Sequence, residues 1–255
     1  MATPPVVSDL SGFLQRVSEC NNVSSKRKYV PFKVDNQVIG YLQPRFLERL
    51  LVAEDTFQAS EDQSIALAAH LHTPQQRTTA VAGVLERLRD EGHITGWRNE
   101  MYPVVPAFHD APLLLMERAA AVCFGIKAYG VHVNGYVNTP SGIKLWVARR
   151  SKKKPTWPGK LDHLVAGGQP HGLSCAENVI KECGEEASIP EDLARTAIPA
   201  GAVSYEYEQS LGLKRDVLFV YDLELPADFV PTPQDGEVEE FMLLPIEEVA
   251  RIISR

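Results

Sequence analysis

The sequence predicts an α+β protein with a smaller N-terminal unit ahead of a larger C-terminal one, and three observations lead there. The second half holds several extended, apolar-rich segments that flank helical patterns without a regular βα alternation, which argues against a doubly wound sheet. The chain of 255 residues is 44% hydrophobic, enough apolar content for one large domain or two modest ones. Prolines crowd "MYPVVPAFHDAP" and the character of the chain changes after it, so a division into 1–110 and 111–255 is expected.

In the N-terminal part, Leu10, Phe13, Leu14 and Val17 recur at helical spacing after Ser8 and Asp9, two residues suited to cap a helix. "YVPFKVDNQVIGYLQP" reads as two strands about an Asp35-Asn36 turn. In "TTAVAGVLERLRDEG", Val81, Val84, Leu85 and Leu88 share a helical face and Gly92 supplies a stop. In the C-terminal part, "YGVHVNGYVN" and "IKLWVARR" about "NTPSG" predict a hairpin. "AVSYEYE" and "KRDVLFVYDLEL" predict two more strands, with "QSLGL" turning between them. "EVEEFMLLP" predicts a last strand before a short helix from Ile246.

Charge and cysteine content narrow the class. A formal charge of −7 argues against a nucleic-acid surface. Four cysteines without a C-x-x-C pair or disulfide-like spacing read as reduced intracellular thiols. The start, "MATPPVVSDLSGFLQRVSECNN", has no basic residues followed by an apolar run, so no secretory signal is visible. No apolar segment reaches the roughly 20 residues needed to cross a bilayer. A soluble, cytoplasmic protein without a membrane partner is expected, an organelle remaining compatible.

The chemistry concentrates in "AGGQPHGLSCAENVIKECGEEASIP", Ala166 to Pro190. Ser174 and Glu177 form a capping-box signature that starts a helix. Its apolar face is expected at Ala176, Val179, Ile180 and Cys183, which leaves Asn178, Glu182, Glu185 and Glu186 on the remaining surface. Like charges three and four apart on a helix repel, so three glutamates within five residues either point into water or share a cation. Gly167, Gly168 and Gly172 ahead of the helix permit a tight loop and a close approach of backbone to a ligand. Carboxylates with a backbone carbonyl make a hard oxygen site suited to Mg²⁺ or Mn²⁺ and unlike a Cys/His zinc site. A lone acidic run is usually a solvated face; here the loop, the cap and the spacing coincide.

These residues resemble the Nudix box, G-x5-E-x7-R-E-U-x-E-E-x-G-U with U aliphatic. Gly167, Glu182, Glu185, Glu186 and Ile189 match it, whereas Leu173, Lys181 and Ser188 stand where the box has glutamate, arginine and glycine. The resemblance implies the Nudix fold, a mixed sheet sandwiched by helices. It implies hydrolysis of a small-molecule diphosphate with Mg²⁺, Mn²⁺ being the alternative. By motif position Gly167, Glu182, Glu185 and Glu186 are the metal residues, with Glu182, Glu185, Glu186 and a downstream carboxylate, Glu237, forming the catalytic set. In the basic run "ARRSKKKPTWPGK", Arg149, Arg150, Lys153 and Lys154 are candidates to clamp a diphosphate, arginine bidentately, with Gly168 beside them. His132 reads as a hydrogen-bonded core histidine, His163 and His171 flank the glycine loop, and Cys183 reads as packing.

Longer stretches, among them "LWVARRSKKKPTWPGKLDHLVAGG" and "VPFKVDNQVIGYLQP", resemble one Nudix subgroup with a dedicated N-terminal domain, found fused to thiamin pyrophosphokinase in some fungi and free-standing in plants. That subgroup implies thiamin diphosphate and its oxo and oxy analogues as substrates, cleaved to the monophosphate and phosphate, with Tyr205, Tyr207, Trp146 or Trp157 as rings for stacking. It continues past the last strand with a further helix, whereas this sequence ends at Arg255. The alternatives are hydrolysis of a common nucleotide such as ADP-ribose or NADH, and a Nudix binding module without turnover. The oligomeric state stays open, a homodimer included.

Overall fold

The computed structural model describes residues 9–154, 156–234 and 236–255; Ser8, named above as a capping residue, and Asp235, the neighbour of Gly236, lie outside them. Helix α1 (Ser11–Glu19) forms, and the Asp9 carboxylate accepts from the Ser11 N–H at 2.9 Å. None of its residues is buried, and Leu10, Leu14 and Val17 are each more than half exposed. The apolar period is real, yet within this chain it meets little partner surface.

Strands β1 (Val30–Val34) and β2 (Gln37–Leu42) pair antiparallel about Asp35 and Asn36, whose φ values of 50° and 63° are those of a primed hairpin turn. Helix α2 (Pro44–Leu50) follows, then β3 (Phe57–Ala59) and β4 (Ile65–Leu67), giving the order β2-β1-β4-β3. These three elements are too short to show a period in sequence. Helix α3 (Pro74–Asp90) begins well before Val81, set by a Thr73–Gln76 capping box and Pro74 in the first turn. Val81, Val84, Leu85 and Leu88 are buried as their spacing predicts.

The proline-dense segment lies inside an antiparallel ribbon of β5 (Met101–Val104) and β6 (Leu114–Glu117). The expected 110/111 division thus falls between two paired strands. A first apolar core gathers residues from Phe32 to Ile126, centred on Phe124 of helix α4 (Ala121–Phe124), whose ring stands 5.2 Å, 5.6 Å and 5.9 Å from those of Phe32, Phe46 and Phe57. A second core begins at Val131. Packing changes hands within a few residues of the start of β7.

The second core sits on a mixed sheet. Strand β7 (Lys127–Thr139) and β8 (Gly142–Arg150) form the predicted hairpin, and β9 (Leu161–Asp162) and β10 (Val165–Gly168) follow. Helix α5 (Cys175–Ala187) and the short α6 (Glu191–Ala194) lead to β11 (Ile198–Gln209) and β12 (Gly212–Glu224), the second predicted pair. Strand β13 (Val238–Pro245) and α7 (Ile246–Ile253) end the chain as expected. The order is β11-β12-β7-β8-β13, with β10 on β7 and β9 on β8; β12 runs parallel to β7 and the other pairs are antiparallel.

Strand β7 is where the sheet forks. Its residues 130–133 pair with β10, while its residues 136–139 pair with β8. At the fork Gly135 meets the Leu164 side chain, and any β-carbon there would collide with it. The fork lifts β10 and its two glycines out of the main sheet and against α5.

Candidate active site

Helix α5 starts as its sequence predicts: Ser174 Oγ accepts from the Glu177 N–H at 3.2 Å, and Glu177 accepts from the Ser174 N–H at 2.8 Å. Its faces differ from expectation. Val179 and Cys183 are buried, but Ala176 is exposed. Asn178, Glu182 and Glu186, left by the apolar spacing on the remaining surface of the helix, are buried at 0%, 9% and 7% exposure. Four residues apart, they form a polar stripe facing β10.

Each member of the stripe meets one backbone position of β10. Asn178 Nδ2 donates to the Gly168 carbonyl at 2.8 Å. The Glu182 carboxyl lies so close to Gly167 that a β-carbon there would overlap it. Glu186 Oε2 accepts from the Ala166 N–H at 3.0 Å. The first two glycines of the loop are therefore steric requirements: Gly167 makes room for Glu182, and Gly168 lies directly beneath the Tyr102 hydroxyl. Glycine freedom of φ is not needed at either, since neither has a positive φ.

The electrostatics of the stripe invite a cation. Burial pushes the Glu186 carboxyl up to about 8, against the Ala166 N–H, with the charges of Glu182 and Glu237 adding to the rise. Burial also raises Glu182, opposed by Lys181. Lys181 Nζ lies 3.2 Å from Glu182 and 2.7 Å from Glu185, a one-lysine clasp where the Nudix box has the planar fork of arginine. Glu185 is about half exposed on the outer side of the helix. Among the described residues no three acidic, histidine or cysteine side chains gather closely enough to hold a metal ion between them. The structure offers two buried carboxylates beside the paired glycines of β10, a hard-oxygen set that fits Mg²⁺ or Mn²⁺ in chemistry.

Glu237 lines a small pocket with Glu186, Arg150, Lys154 and His163, and is ion-paired to Lys154. Arg150 is held 2.6 Å from Asp162 and also faces the larger cleft. Arg149 bonds Glu240 at 2.7 Å on β13 and is not among the residues lining either space. Lys153 is exposed in a turn and likewise lines neither. The alternation of β8 separates the two arginines: successive side chains point to opposite faces.

The larger cleft, about 850 Å³, opens beside Gly167 and Gly168. Of the rings named from sequence, Tyr205, Tyr207 and Trp157 line it. Trp146 instead packs into the second core at 9% exposure. His132 is a further correction: its neighbours Val131 and Val133 enter the core while His132 faces the cleft, its ring 4.2 Å from that of His163. Burial, with the His163 charge, lowers it to about 4. His171 is exposed and its N–H donates to the Met101 carbonyl at 2.9 Å. Sequence reasoning missed Tyr102, Arg98 and Arg118, which reach this cleft from the N-terminal half. No local motif marks them, because only tertiary packing brings residues 98–118 beside 168.

The NUDIX domain family matches residues 128–254, and a family described as a domain of unknown function, DUF4743, matches residues 12–128. Nudix hydrolase 20, chloroplastic, of Arabidopsis thaliana is 49% identical over 97% of this chain and 69% of its own length. Nudix hydrolase 24, chloroplastic, of the same plant is 48% identical over 99% of this chain and 70% of its own. A solved Ap4A hydrolase from C. elegans is 15% identical over 51% of this chain and 89% of that one, with a TM-score of 0.38. The chain belongs to the Nudix hydrolases, enzymes that cleave diphosphate linkages and generally use a divalent metal.

Proposed function

We propose that the protein hydrolyses thiamin diphosphate and its oxo and oxy analogues to the monophosphate and phosphate, with Mg²⁺. The observation that carries the diphosphatase part is the pair Glu182 and Glu186, buried against Gly167 and Ala166 at the edge of a cleft with basic and aromatic walls. The thiamin part rests on the sequence resemblance, and a cleft lined by Tyr205, Tyr207 and Trp157 is the right kind of surface for an aromatic ring system.

In this reading Glu182, Glu186 and the Gly167 carbonyl would hold the cation, and Glu185, half exposed and paired to Lys181, would support it directly or through water. When bound, the divalent ion supplies Lewis acidity to the diphosphate oxygens and to the attacking water. The protein does the rest. Asn178 fixes the Gly168 carbonyl, so the strand cannot slide against the helix. Arg150 presents a charge to the phosphates from a position already set by Asp162. Glu237, with Glu186 on the wall of the small pocket, would take the proton of the water once its pairing with Lys154 loosens. Among the described residues no helix is long and apolar enough to cross a membrane. The names of both Arabidopsis relatives carry the word chloroplastic, which widens the expected compartment from the cytosol to an organelle.

The test is phosphate release with Mg²⁺ from thiamin diphosphate, oxothiamin diphosphate, ADP-ribose and NADH, with coupling enzymes that report diphosphate and nucleotide monophosphate products. Turnover led by the thiamin compounds is expected. Turnover led by ADP-ribose or NADH would replace the substrate, and silence on all four with metal bound would favour a binding module.

A further inference from the structure

The cleft has a wall that the Nudix domain does not supply. Gly168, the last residue of β10, is overlain by the N-terminal half: the Tyr102 hydroxyl occupies the space a β-carbon would need, and Arg118 Cζ stands 3.2 Å from that same position. Arg118 lies over the Tyr102 ring, 5.6 Å from its centroid, and Nη1 is held 2.7 Å from Glu100. A guanidinium fixed by a ring on one side and a carboxylate on another keeps its fork in one orientation, which lowers the ordering cost of gripping an anion. It is nonetheless 42% exposed, on the cleft wall. Its charge is felt by Glu182 and Glu237, the carboxylates on either side of the proposed reaction centre.

One further contact fixes the loop to this wall, at Met101, and a second ties it to β7, at Tyr129. The His171 N–H donates to the Met101 carbonyl at 2.9 Å, and the Gln169 N–H to the Tyr129 carbonyl at 2.8 Å. Residues 98–118 thus pack against the glycine loop, and the family that matches residues 12–128 is described as a domain of unknown function.

We propose that Arg118 is a diphosphate-binding residue, held by Tyr102 and Glu100, and that the N-terminal domain exists in part to complete the substrate site with it. The proposal rests on the diphosphatase reading above. It separates two functions of adjacent glycines: Gly167 admits the carboxylate for the metal, and Gly168 admits the ring that carries the arginine to the phosphate. It also complements Arg150: Arg149 and Lys153 of the basic run line neither space, and Arg118 brings a second guanidinium to the larger cleft.

The test is calorimetric binding of methylenediphosphonate, a diphosphate that water does not cleave, with Mg²⁺ present. Wild type, Arg118→Met, Arg118→Lys and Arg195→Met are compared; Arg195 is an exposed residue of the α6 region paired to Glu191 and serves as a charge control. We expect Arg118→Met to weaken binding about 10- to 100-fold, the range for a lost charge-assisted contact. Arg118→Lys, which keeps the charge and the Glu100 pair but not the fork, should fall between, and it remains decisive if the methionine variant does not fold. Binding by Arg118→Met or Arg118→Lys within twofold of wild type would overturn the proposal, as would an equal loss in Arg195→Met or a wild type that does not bind the probe. A wild type that binds through Arg118 yet leaves thiamin diphosphates uncleaved would sink the substrate reading and leave this one standing. A wild type that cleaves them with unchanged Arg118→Met binding would do the reverse.

Discussion

Asn178 Nδ2 meets the Gly168 carbonyl at 2.8 Å, and this bond ties the first turns of α5 to the end of β10. The side chain is fully buried, so removing it strands a carbonyl that no water replaces cheaply. Asn178→Ala should cost about 1–3 kcal/mol in a urea melt. It should also weaken Mg²⁺ binding, because the strand that carries Gly167 is then free to shift against Glu182. Unchanged stability would mean the loop is held mainly by its contacts to Tyr129 and Met101.

Gly167→Ala puts a methyl group into the Glu182 carboxyl. The carboxylate must rotate away or the strand must retreat, and overpacking of this kind costs about 1–3 kcal/mol. The expected outcome is Mg²⁺ affinity down at least about tenfold with activity lost in step, an effect of displacing one ligand. Calorimetric titration with Mg²⁺ checks it; wild-type affinity would place the ion elsewhere.

Glu186→Gln keeps the shape of the side chain and removes its charge. Activity should fall by orders of magnitude, the scale seen when a group acting in the transition state is removed. Without Mg²⁺ the thermal midpoint near pH 7 should change little, because burial pushes Glu186 up to about 8 and already favours its neutral form. Near-wild-type turnover would show that Glu186 is not a metal ligand.

Ser188 occupies a left-handed backbone conformation, φ 55° and ψ 31°, at the C-cap of α5, where the Nudix box has glycine. An L-residue there costs about 1–2 kcal/mol. Its hydroxyl donates to the Thr232 carbonyl at 2.9 Å, which offsets about 1 kcal/mol. Ser188→Gly relieves the strain and loses the bond, so stability should stay within about 1 kcal/mol of wild type. Ser188→Ala keeps the strain and loses the bond, and should be the least stable of the three by equilibrium unfolding.

His132 gives the fold a pH dependence with a definite sign. Its value in the fold is lowered to about 4 by burial and by His163, below the ordinary value of 6.5. The unfolded chain therefore binds more protons between these two values, and stability falls as pH drops from about 6.5 to about 4, levelling off below. The loss should be on the order of 1–3 kcal/mol. His132→Asn should flatten that window in urea melts recorded from pH 7 to 4; an unchanged slope would assign it to other groups.

The pattern of legibility follows the range of the forces. The β7–β8 hairpin, the Ser174–Glu177 cap and the Asp35–Asn36 turn are set by residues a few positions apart, and all were readable. The burial of Asn178, Glu182 and Glu186 was not, because the apolar spacing says only that they lie off the Val179–Cys183 face, and it takes a backbone with two side-chain-free positions to let them turn in. His132 and Trp146 exchanged places for a similar reason: alternation says that faces differ, and the sheet's partners decide which face is wet. Arg118 and Tyr102 carry no local signature at all.

The parallel pairing of β12 with β7 joins residues 88 apart in sequence, as at Asn134 and Asp222. Strand β10, clamped between β7 and α5, lies within the chain that this closure loops out. Long-range pairings of this sort form late and slowly, since the entropy of closing the loop comes before the contacts that compensate it. The carboxylate pair should therefore become cation-competent after most helix content has returned. In a refolding experiment, Mg²⁺ would act as a clock for the last stage of assembly, and would stabilise the finished fold without hastening its start.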